Sequence, residues 1–414
     1  MFVSGNCPAI STQFGAMSNR VLIAGGGIGG LAAALACVRA GMDVQLYERA
    51  AAFGEVGAGI QIGPNVVHVL RRLGLEGALA SVAAFPRRLQ IRDALSGREL
   101  GVLPLADRSV ELYGAPYATI HRADLHALLL EALEQEGSAR LKLGCWLANF
   151  SNAEHRVSLE TTEGLVAEGD ALIGADGLWS RVRELLLNDG APRVSGHLAY
   201  RAMLPQEELP VRLRSQQVTA WLGPRLHVVQ YPVRCGEWLN VVAIVHGEVS
   251  GTTHGWDHAA NAAELRHAMG TTDSALQDLI AAVPAWRLWA LCDRPPMTGP
   301  SQQASGRVAL LGDAAHPMRP YLAQGAGMAI EDAEQLARSL SLSHLTMHER
   351  LQHYASLRWR RCARVQARSI RNGTIFHSEG LVRRARDLAM KALGERLLDV
   401  PWLYRGPAGQ RHCQ

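Results

Sequence analysis

Residues 20–49 read RVLIAGGGIGGLAAALACVRAGMDVQLYER, and this stretch decides the fold class. Residues 20–24 have the length and apolar content of a buried strand, residues 31–40 read as a helix stopped by Gly41, and residues 43–47 read as a second strand. Between the first strand and the helix stands Gly25-Gly26-Gly27-Ile28-Gly29-Gly30, a GxGxxG turn. Gly25 permits the tight turn, Gly27 lets the backbone reach a pyrophosphate, and Gly30 lets helix and strand pack closely. Glu48, followed by Arg49, closes the second strand where a carboxylate can accept both ribose hydroxyls of an adenosine. A lone GxGxxG is weak, and a glycine turn that binds nothing is the alternative. The flanking strands, helix and acid favour a dinucleotide site in an α/β fold.

The 414 residues suggest two or three structural units, and 48% hydrophobic against 19% charged residues suffices for a large core. A net charge of +4 is weak for this length and does not suggest a nucleic-acid binder. Seven scattered cysteines with no CxxC pair read as cytosolic thiols, so a cytoplasmic protein is expected. Residues 1–16 have neither a basic n-region nor an apolar h-region, and Met17 is an alternative start. Residues 21–38 are uncharged over a length that approaches a membrane span, but their glycines and flanking charges argue for strand, turn and helix.

Downstream, residues 55–65 (EVGAGIQIGPN) form a glycine-rich segment holding Gln61, which either admits a cofactor edge or makes a compact loop. A helix is expected over 66–73 and a hairpin over 90–100. Arg122 opens an amphipathic helix, where a cation is unfavourable to the helix dipole; an anion such as a pyrophosphate would explain it, and a surface arginine is the alternative. Residues 141–143, 157–161 and 165–167 read as strands of a meander. Residues 171–175 (ALIGA) are another buried strand, ending in Asp176-Gly177.

Residues 306–333 (GRVALLGDAAHPMRPYLAQGAGMAIEDA) repeat that pattern. A strand over 307–311 places Asp313 at its C-terminal end, where open α/β sheets bind ligands. Pro317 and Pro320 are expected to hold the next segment extended. Gln324-Gly325-Ala326-Gly327 then opens a helix running to about Leu340, whose small first turn favours an anion. The arginines of a long helix over 348–371 spread around it and read as a solvated face. Residues 381–398 form a basic amphipathic helix, a candidate edge cover or homodimer contact.

GGGIGG with Glu48, GADGLWSRVR at 174–183 and LLGDAAHPMRP at 310–320, in that order, resemble the group A flavoprotein aromatic hydroxylases typified by para-hydroxybenzoate hydroxylase. The resemblance spans about residues 20–400. It implies a Rossmann-like FAD domain with an inserted α+β substrate domain and C-terminal helices. The expected division is a flexible extension (1–19), a discontinuous FAD domain (20–90, 110–190 and 300–345), a substrate sheet (91–109 with 191–299) and a helical segment (346–414). Family FAD contacts carry over onto Gly25, Gly27, Ile28, Gly29, Gly30, Glu48, Arg49, Gln61, Arg122, Asp313, Gly325, Ala326 and Gly327. The Asp176 motif is associated with both FAD and the reduced nicotinamide. FAD would be bound tightly without a covalent link, and NADH or NADPH would visit as electron donor.

Within the substrate segment, residues 196–204, 218–222, 227–231 and 238–245 read as strands of an antiparallel sheet. His227 and Tyr231, four apart on one strand, point to the same face and could bind and polarise a phenol; a half-buried pair with no chemistry is the alternative. The closer resemblance is to hydroxylases of hydroxybenzoates and hydroxynicotinate, in which such a His and Tyr and the Gln of a YLAQGA-like turn surround the substrate; they map onto His227, Tyr231 and Gln324. Hydroxynicotinate relatives are expected to carry His in the GAGIQ segment and in place of Tyr321, so Gln61 and Tyr321 favour a benzoate, and salicylate also ranks lower. The resemblance thus implies hydroxylation of a small phenolic aromatic acid, best matched by 3-hydroxybenzoate to gentisate, with O2 through a C4a-hydroperoxyflavin. No metal, nucleic acid or membrane span is expected. A phenol of pKa about 10 lies about 3.5 units above an ordinary imidazole, roughly 4.8 kcal/mol, so His227 alone would not hold its proton. Replacing His227 by Ala is expected to leave FAD bound and substrate-stimulated NADH oxidation present, while product falls and hydrogen peroxide rises. Full coupling to product in that variant would remove His227 from the chemistry.

Overall fold

The computed structural model describes residues 19–54, 58–247, 258–260 and 262–407. The opening stretch folds as its pattern dictates: strand Arg20–Ala24, helix Ile28–Arg39 and strand Asp43–Tyr47, with the two strands parallel and Leu22 facing Gln45. Arg20–Ala24 is central in a six-stranded sheet. On one side lie Asp43–Tyr47 and Arg140–Lys142; on the other lie Ala171–Gly174, Val308–Leu310 and the antiparallel edge Ala304–Ser305. Arg20–Ala24, Ala171–Gly174 and Val308–Leu310 are buried on both faces, which is why they read as unbroken apolar runs rather than alternating ones. Leu31 and Leu35 of the first helix and Ile330 and Leu336 of helix Gly325–Leu340 share the core on one face.

The second large sheet has eight strands, in the order His258–Ala260, Trp286–Asp293, Arg193–Pro205, Trp238–His246, Leu226–Val233, Val218–Gly223, Arg88–Asp93 and Glu99–Pro104. All four expected strands are present, and all neighbours are antiparallel except Val218–Gly223 with Arg88–Asp93. The sequence reading assigned no strand to 286–293, whose Trp286, Trp289 and Leu291 are buried. A two-stranded ribbon, Gly59–Ile62 with Ala118–His121, lies between the two large sheets: Ala84 pairs with Thr119, and Gly59 donates to Asn240. Among the described residues, no helix is long and apolar enough to cross a membrane.

Two expectations need correction. Arg319, before Pro320, is extended as expected (φ −61°, ψ +147°), but Pro320 itself occupies the first position of a 3-10 turn, Pro320–Leu322, where its missing N–H costs nothing, and Ala323 follows with φ +52°. The long helix, Met347–Phe376, does not present a wholly solvated arginine face. Arg358 is fully buried, bonded to Glu331 at 2.8 Å and Asp332 at 2.6 Å, and Arg361 adds a second bond to Glu331 at 2.7 Å. Asp332 also accepts from the Gly312 amide and from His316, and Glu331 from Asn65.

Removing one member of a buried ion pair strands the other and costs about 3–5 kcal/mol. Arg358→Ala is therefore expected to lower unfolding stability by about that amount in urea titrations of the FAD-loaded protein. Arg360→Ala, on the exposed side of the same helix, is expected to stay within about 0.5 kcal/mol of wild type.

Candidate active site

The dinucleotide side is built from strand ends and helix N-termini. Gly25 has φ +107°, and a Cβ there would overlap the Ala175 carbonyl, so the first glycine turn lies directly on the loop that carries Asp176. A Cβ on Gly30 would overlap the Gly25 carbonyl, while Gly29 packs against Leu311 and Ala329, and Ile28 is buried. Gly27 is the N-cap of helix Ile28–Arg39 and brings no side-chain cap or first-turn acid, leaving amides free for an anion. Glu48 accepts from the Gly26 amide at 2.6 Å and the Ala50 amide at 2.8 Å, which fixes its carboxylate against the turn. Arg49 is exposed, 5.7 Å from the centroid of Trp146.

Asp313 makes no hydrogen bond among the described residues, and a Cβ on Gly325 would stand 3.9 Å from its carboxylate. Burial pushes its pKa up, and Arg122 and His316 pull it down. It therefore stands beside the uncapped N-terminus of helix Gly325–Leu340, whose first turn is Gly325, Ala326 and Gly327. Open helix amides and an unpartnered carboxylate suit a ligand with both phosphates and hydroxyls, and FAD fits these residues. Asp176 is differently employed: its carboxylate accepts from Ser180 and from the Arg181 and Val182 amides at 2.8 and 3.1 Å, capping the next helix. Gln61 accepts from Tyr117 at 2.7 Å. Gly57, in the same glycine-rich segment, lies outside the described residues.

His227 and Tyr231 do share a face. Cross-strand register sets His227, Val229 and Tyr231 beside Ile244, Val242 and Asn240, and those beside Ala199, Arg201 and Met203. His227, Tyr231, Asn240 and Ile244 are buried, yet Val229, Val242 and Arg201 between them are only partly covered. The face therefore carries partly exposed valines with polar groups around them. Tyr231 abuts Gly59, where a Cβ would stand 2.6 Å from its ring, and Asn240 accepts from the Gly59 amide at 2.7 Å. The Tyr321 ring lies 5.2 Å from that of His227. Gln324 is buried and accepts from Asn65 at 3.2 Å; it makes no hydrogen bond to His227 or Tyr231.

Arg201 is the unexpected member of this face. Its guanidinium carbon lies 3.5 Å from the Trp289 centroid, its Nε is buried without a partner, and it forms no ion pair among the described residues. Burial, the largest influence, disfavours its charge, Tyr231 supports it and Arg122 opposes it. Its spacing from His197, four residues along one strand, matches that of Tyr231 from His227, and this was the available sequence signal.

A histidine cluster was also missed. His377 at the end of the long helix bonds His227 (Nε2 to Nδ1, 2.7 Å) and His246 (Nδ1 to Nε2, 2.9 Å), while His197 bonds Tyr321 and stacks on His246 at 4.4 Å. His227 is pulled down to about 3 by burial and by His197, and His197 to about 4; His377 falls further. His197, His246 and His377 are also grouped closely enough to suggest a metal. Nitrogens sharing one tetrahedral zinc stand roughly 3.3 Å apart, whereas His246 and His377 are 2.9 Å apart, the spacing of a hydrogen-bonded pair.

The sequence pattern of the FAD binding domain family matches residues 18–369. The chain is 40% identical over 365 residues to 3-hydroxybenzoate 6-hydroxylase 1 of Aquipseudomonas alcaligenes, covering 88% of this chain and 91% of that protein. It is 39% identical over 405 residues to the 3-amino-4-hydroxybenzoate 2-monooxygenase PtnB3 of Streptomyces platensis, covering 95% and 98%. The crystal structure of Klebsiella pneumoniae HpxO complexed with FAD and uric acid superimposes with a TM-score of 0.80 at 25% identity, covering 92% and 94%.

Buried neutral histidines have a pH signature. Below about 6.5 the unfolded chain takes up protons that folded His227 and His377 refuse, so stability falls as pH drops through 6.5 and continues to fall toward about 3. His316 works oppositely: its raised pKa gives a contribution complete below 6.5 and lost as pH rises through its folded value. The melting temperature of the FAD-loaded protein is expected to fall between pH 6.5 and 5, less steeply in His377→Gln than in wild type. Equal slopes would show that the cluster is not buried neutral.

Proposed function

The chain belongs to the FAD binding domain family, and from that premise we propose that it is an FAD-dependent monooxygenase that hydroxylates a small phenolic aromatic acid, with 3-hydroxybenzoate to gentisate as the leading reaction. The observation that carries the reading is the partly exposed pair Val229 and Val242, framed by an imidazole, a phenol and a guanidinium with no ion pair among the described residues. An aromatic ring suits the valines, and a carboxylate suits Arg201. Bound FAD, with NADH or NADPH as donor and O2, supplies the electrons and the activated oxygen. Gly25, Gly27, Gly29, Gly30 and Glu48 would hold its adenosine and pyrophosphate, and Asp313 with the amides of Gly325–Leu340 its flavin half. The six-stranded sheet is then the FAD domain and the eight-stranded sheet the substrate domain. A cytoplasmic location and a homodimer through the C-terminal helices complete the reading.

His227 faces the phenol as its proton acceptor. Along the strand, His227 and Tyr231 are about 13 Å apart at the backbone, so they address opposite ends of a small ring rather than one oxygen. Tyr231 and Arg201 take the carboxylate end. An imidazole pulled down to about 3 by burial and by His197, facing a phenol at about 10, leaves a gap of roughly 10 kcal/mol against holding the proton on His227. Delivered to water at neutral pH, the same proton costs about three units, roughly 4 kcal/mol.

A screen of hydroxybenzoates, aminohydroxybenzoates, salicylate and hydroxynicotinates for stimulated NADH oxidation, with products identified by mass and regiochemistry, tests the assignment. Equimolar peroxide with every acid would make the protein an oxidase instead. Arg201→Gln is expected to weaken binding of 3-hydroxybenzoate by roughly 10- to 100-fold, the worth of a charge-assisted hydrogen bond. Binding of uncharged 3-hydroxybenzamide is expected to change little; equal losses for both ligands would remove Arg201 from carboxylate recognition.

A further inference from the structure

Arg201 stands on the sheet face with no carboxylate beside it. Its strand, Arg193–Pro205, runs between Trp238–His246 and Trp286–Asp293. On the first neighbour the side chains sharing its face are Asn240, Val242 and Ile244; on the second, Arg287 stands opposite it and Trp289 opposite Ala199. None of these is an acid, and Arg287 is a second cation. Asp293, in line with Trp289 and four residues further on, is already paired with Arg319 at 2.6 Å. In place of an acid Arg201 has an indole. Trp289 is buried and packs with Ala199, Ile244 and Tyr321, so its ring is held from behind. The guanidinium carbon of Arg201 lies 3.5 Å from the ring centroid, in van der Waals contact over the middle of the ring. An N–H aimed at the ring from there would push its nitrogen inside contact distance. The guanidinium therefore lies flat on the indole, and its donors point sideways, away from it. A π face attracts the cation without occupying those donors, whereas a carboxylate in the same place would take them up. The Arg201 Nε–H is in fact buried with no acceptor, a cost that a bound acceptor relieves.

We propose that Trp289 is a positioning residue for carboxylate recognition: its indole holds the Arg201 guanidinium flat and charged on the sheet face with its donors unused, so that the carboxylate of the bound acid becomes the counter-ion the protein leaves out. It rests on the reading of the protein as a phenolic-acid hydroxylase with Arg201 at the carboxylate end. Trp289 acts through Arg201 rather than on the carboxylate itself. The consequence is selection by charge. An acid gains the attraction and the hydrogen bonds together, while its amide gains no ion pair. Indole is the best of the side-chain π faces for a cation and phenyl a weaker one, so the effect is graded by the ring at position 289.

The experiment titrates the FAD-loaded full chain with 3-hydroxybenzoate and with 3-hydroxybenzamide, reading each Kd from the change in flavin absorbance. Trp289→Leu, which keeps an apolar side chain but no π face, is expected to raise the Kd of the acid about 10-fold and that of the amide less than about 2-fold. Trp289→Phe is expected to fall between, at about 3-fold for the acid. In an Arg201→Gln background, Trp289→Leu is expected to add nothing for the acid, because the two act as one unit. Equal weakening of acid and amide in Trp289→Leu overturns the proposal, since a mere wall of the site would act on both; so do additive losses in the double variant. If Trp289→Leu does not hold FAD, Trp289→Phe decides by the same comparison of acid with amide. If Arg201→Gln itself weakens acid and amide alike, the placing of the carboxylate in the hydroxylase reading fails and the role of Trp289 with it. A selective Arg201→Gln beside Trp289 variants of wild-type affinity sinks the role of Trp289 only.

Discussion

The buried guanidinium of Arg358 is the constraint on which the arrangement of both half-sites depends. A cation without access to water must be matched, and Glu331 and Asp332 match it from adjacent positions of helix Gly325–Leu340. Arg358 holds Asp332 well down, to about 2, with His316, against the burial that alone would raise it. Asp332 reaches back to the Gly312 amide and to His316, so the turn carrying Asp313 is tied to the helix that begins at Gly325. Glu331 reaches Asn65, which bonds Gln324. One arginine on the long helix therefore holds the flavin-side turn, the helix amides and the glycine-rich segment in one geometry. Such clusters are poor sources of net stability compared with apolar packing, but they are intolerant of displacement.

The same long helix ends in the histidine cluster. Its start is tied by a capping box at Thr346 and Glu349, its middle by Arg358, and its end by His377, whose two nitrogens reach strands of the eight-stranded sheet. It spans both sheets and ties one to the other. Tyr321, in the turn just before Gln324, packs against Gly373 of that helix and against His227. The position of His227 relative to the flavin-side turn is thus fixed through the helix and through Tyr321 together.

Much of this could be read from local pattern. Strand Arg20–Ala24, the GxGxxG turn and both ends of helix Gly325–Leu340 are set by residues within one or two turns of each other. HxxxY spacing likewise fixed the shared face of His227 and Tyr231, because strand period is local. What pattern could not supply was the partner of each face. Arginines at 358, 360 and 361 look alike in sequence; only the acids about thirty positions earlier distinguish the buried ones from the exposed one. His377 lies 150 residues from His227, beyond the expected end of its helix, and no periodicity links them. A lone arginine on a strand ordinarily faces solvent, and only the register across two strands sets Arg201 beside Val242 and Val229.

Arg201 and the histidines together face a problem of charge. A hydroxybenzoate brings one negative charge as carboxylate and acquires a second as phenolate, while Arg201 on the sheet face forms no ion pair among the described residues. Once the carboxylate has neutralised that guanidinium, little of its field remains for the phenolate. Four imidazoles, two of them buried and all held below their ordinary pKa, are unsuited to keeping the displaced proton nearby as a counter-charge. Burial that makes His227 a poor resting place for a proton also makes its neighbours neutral, and neutral imidazoles in series can pass a proton on where charged ones would block it. The site is therefore poorly suited to storing the proton.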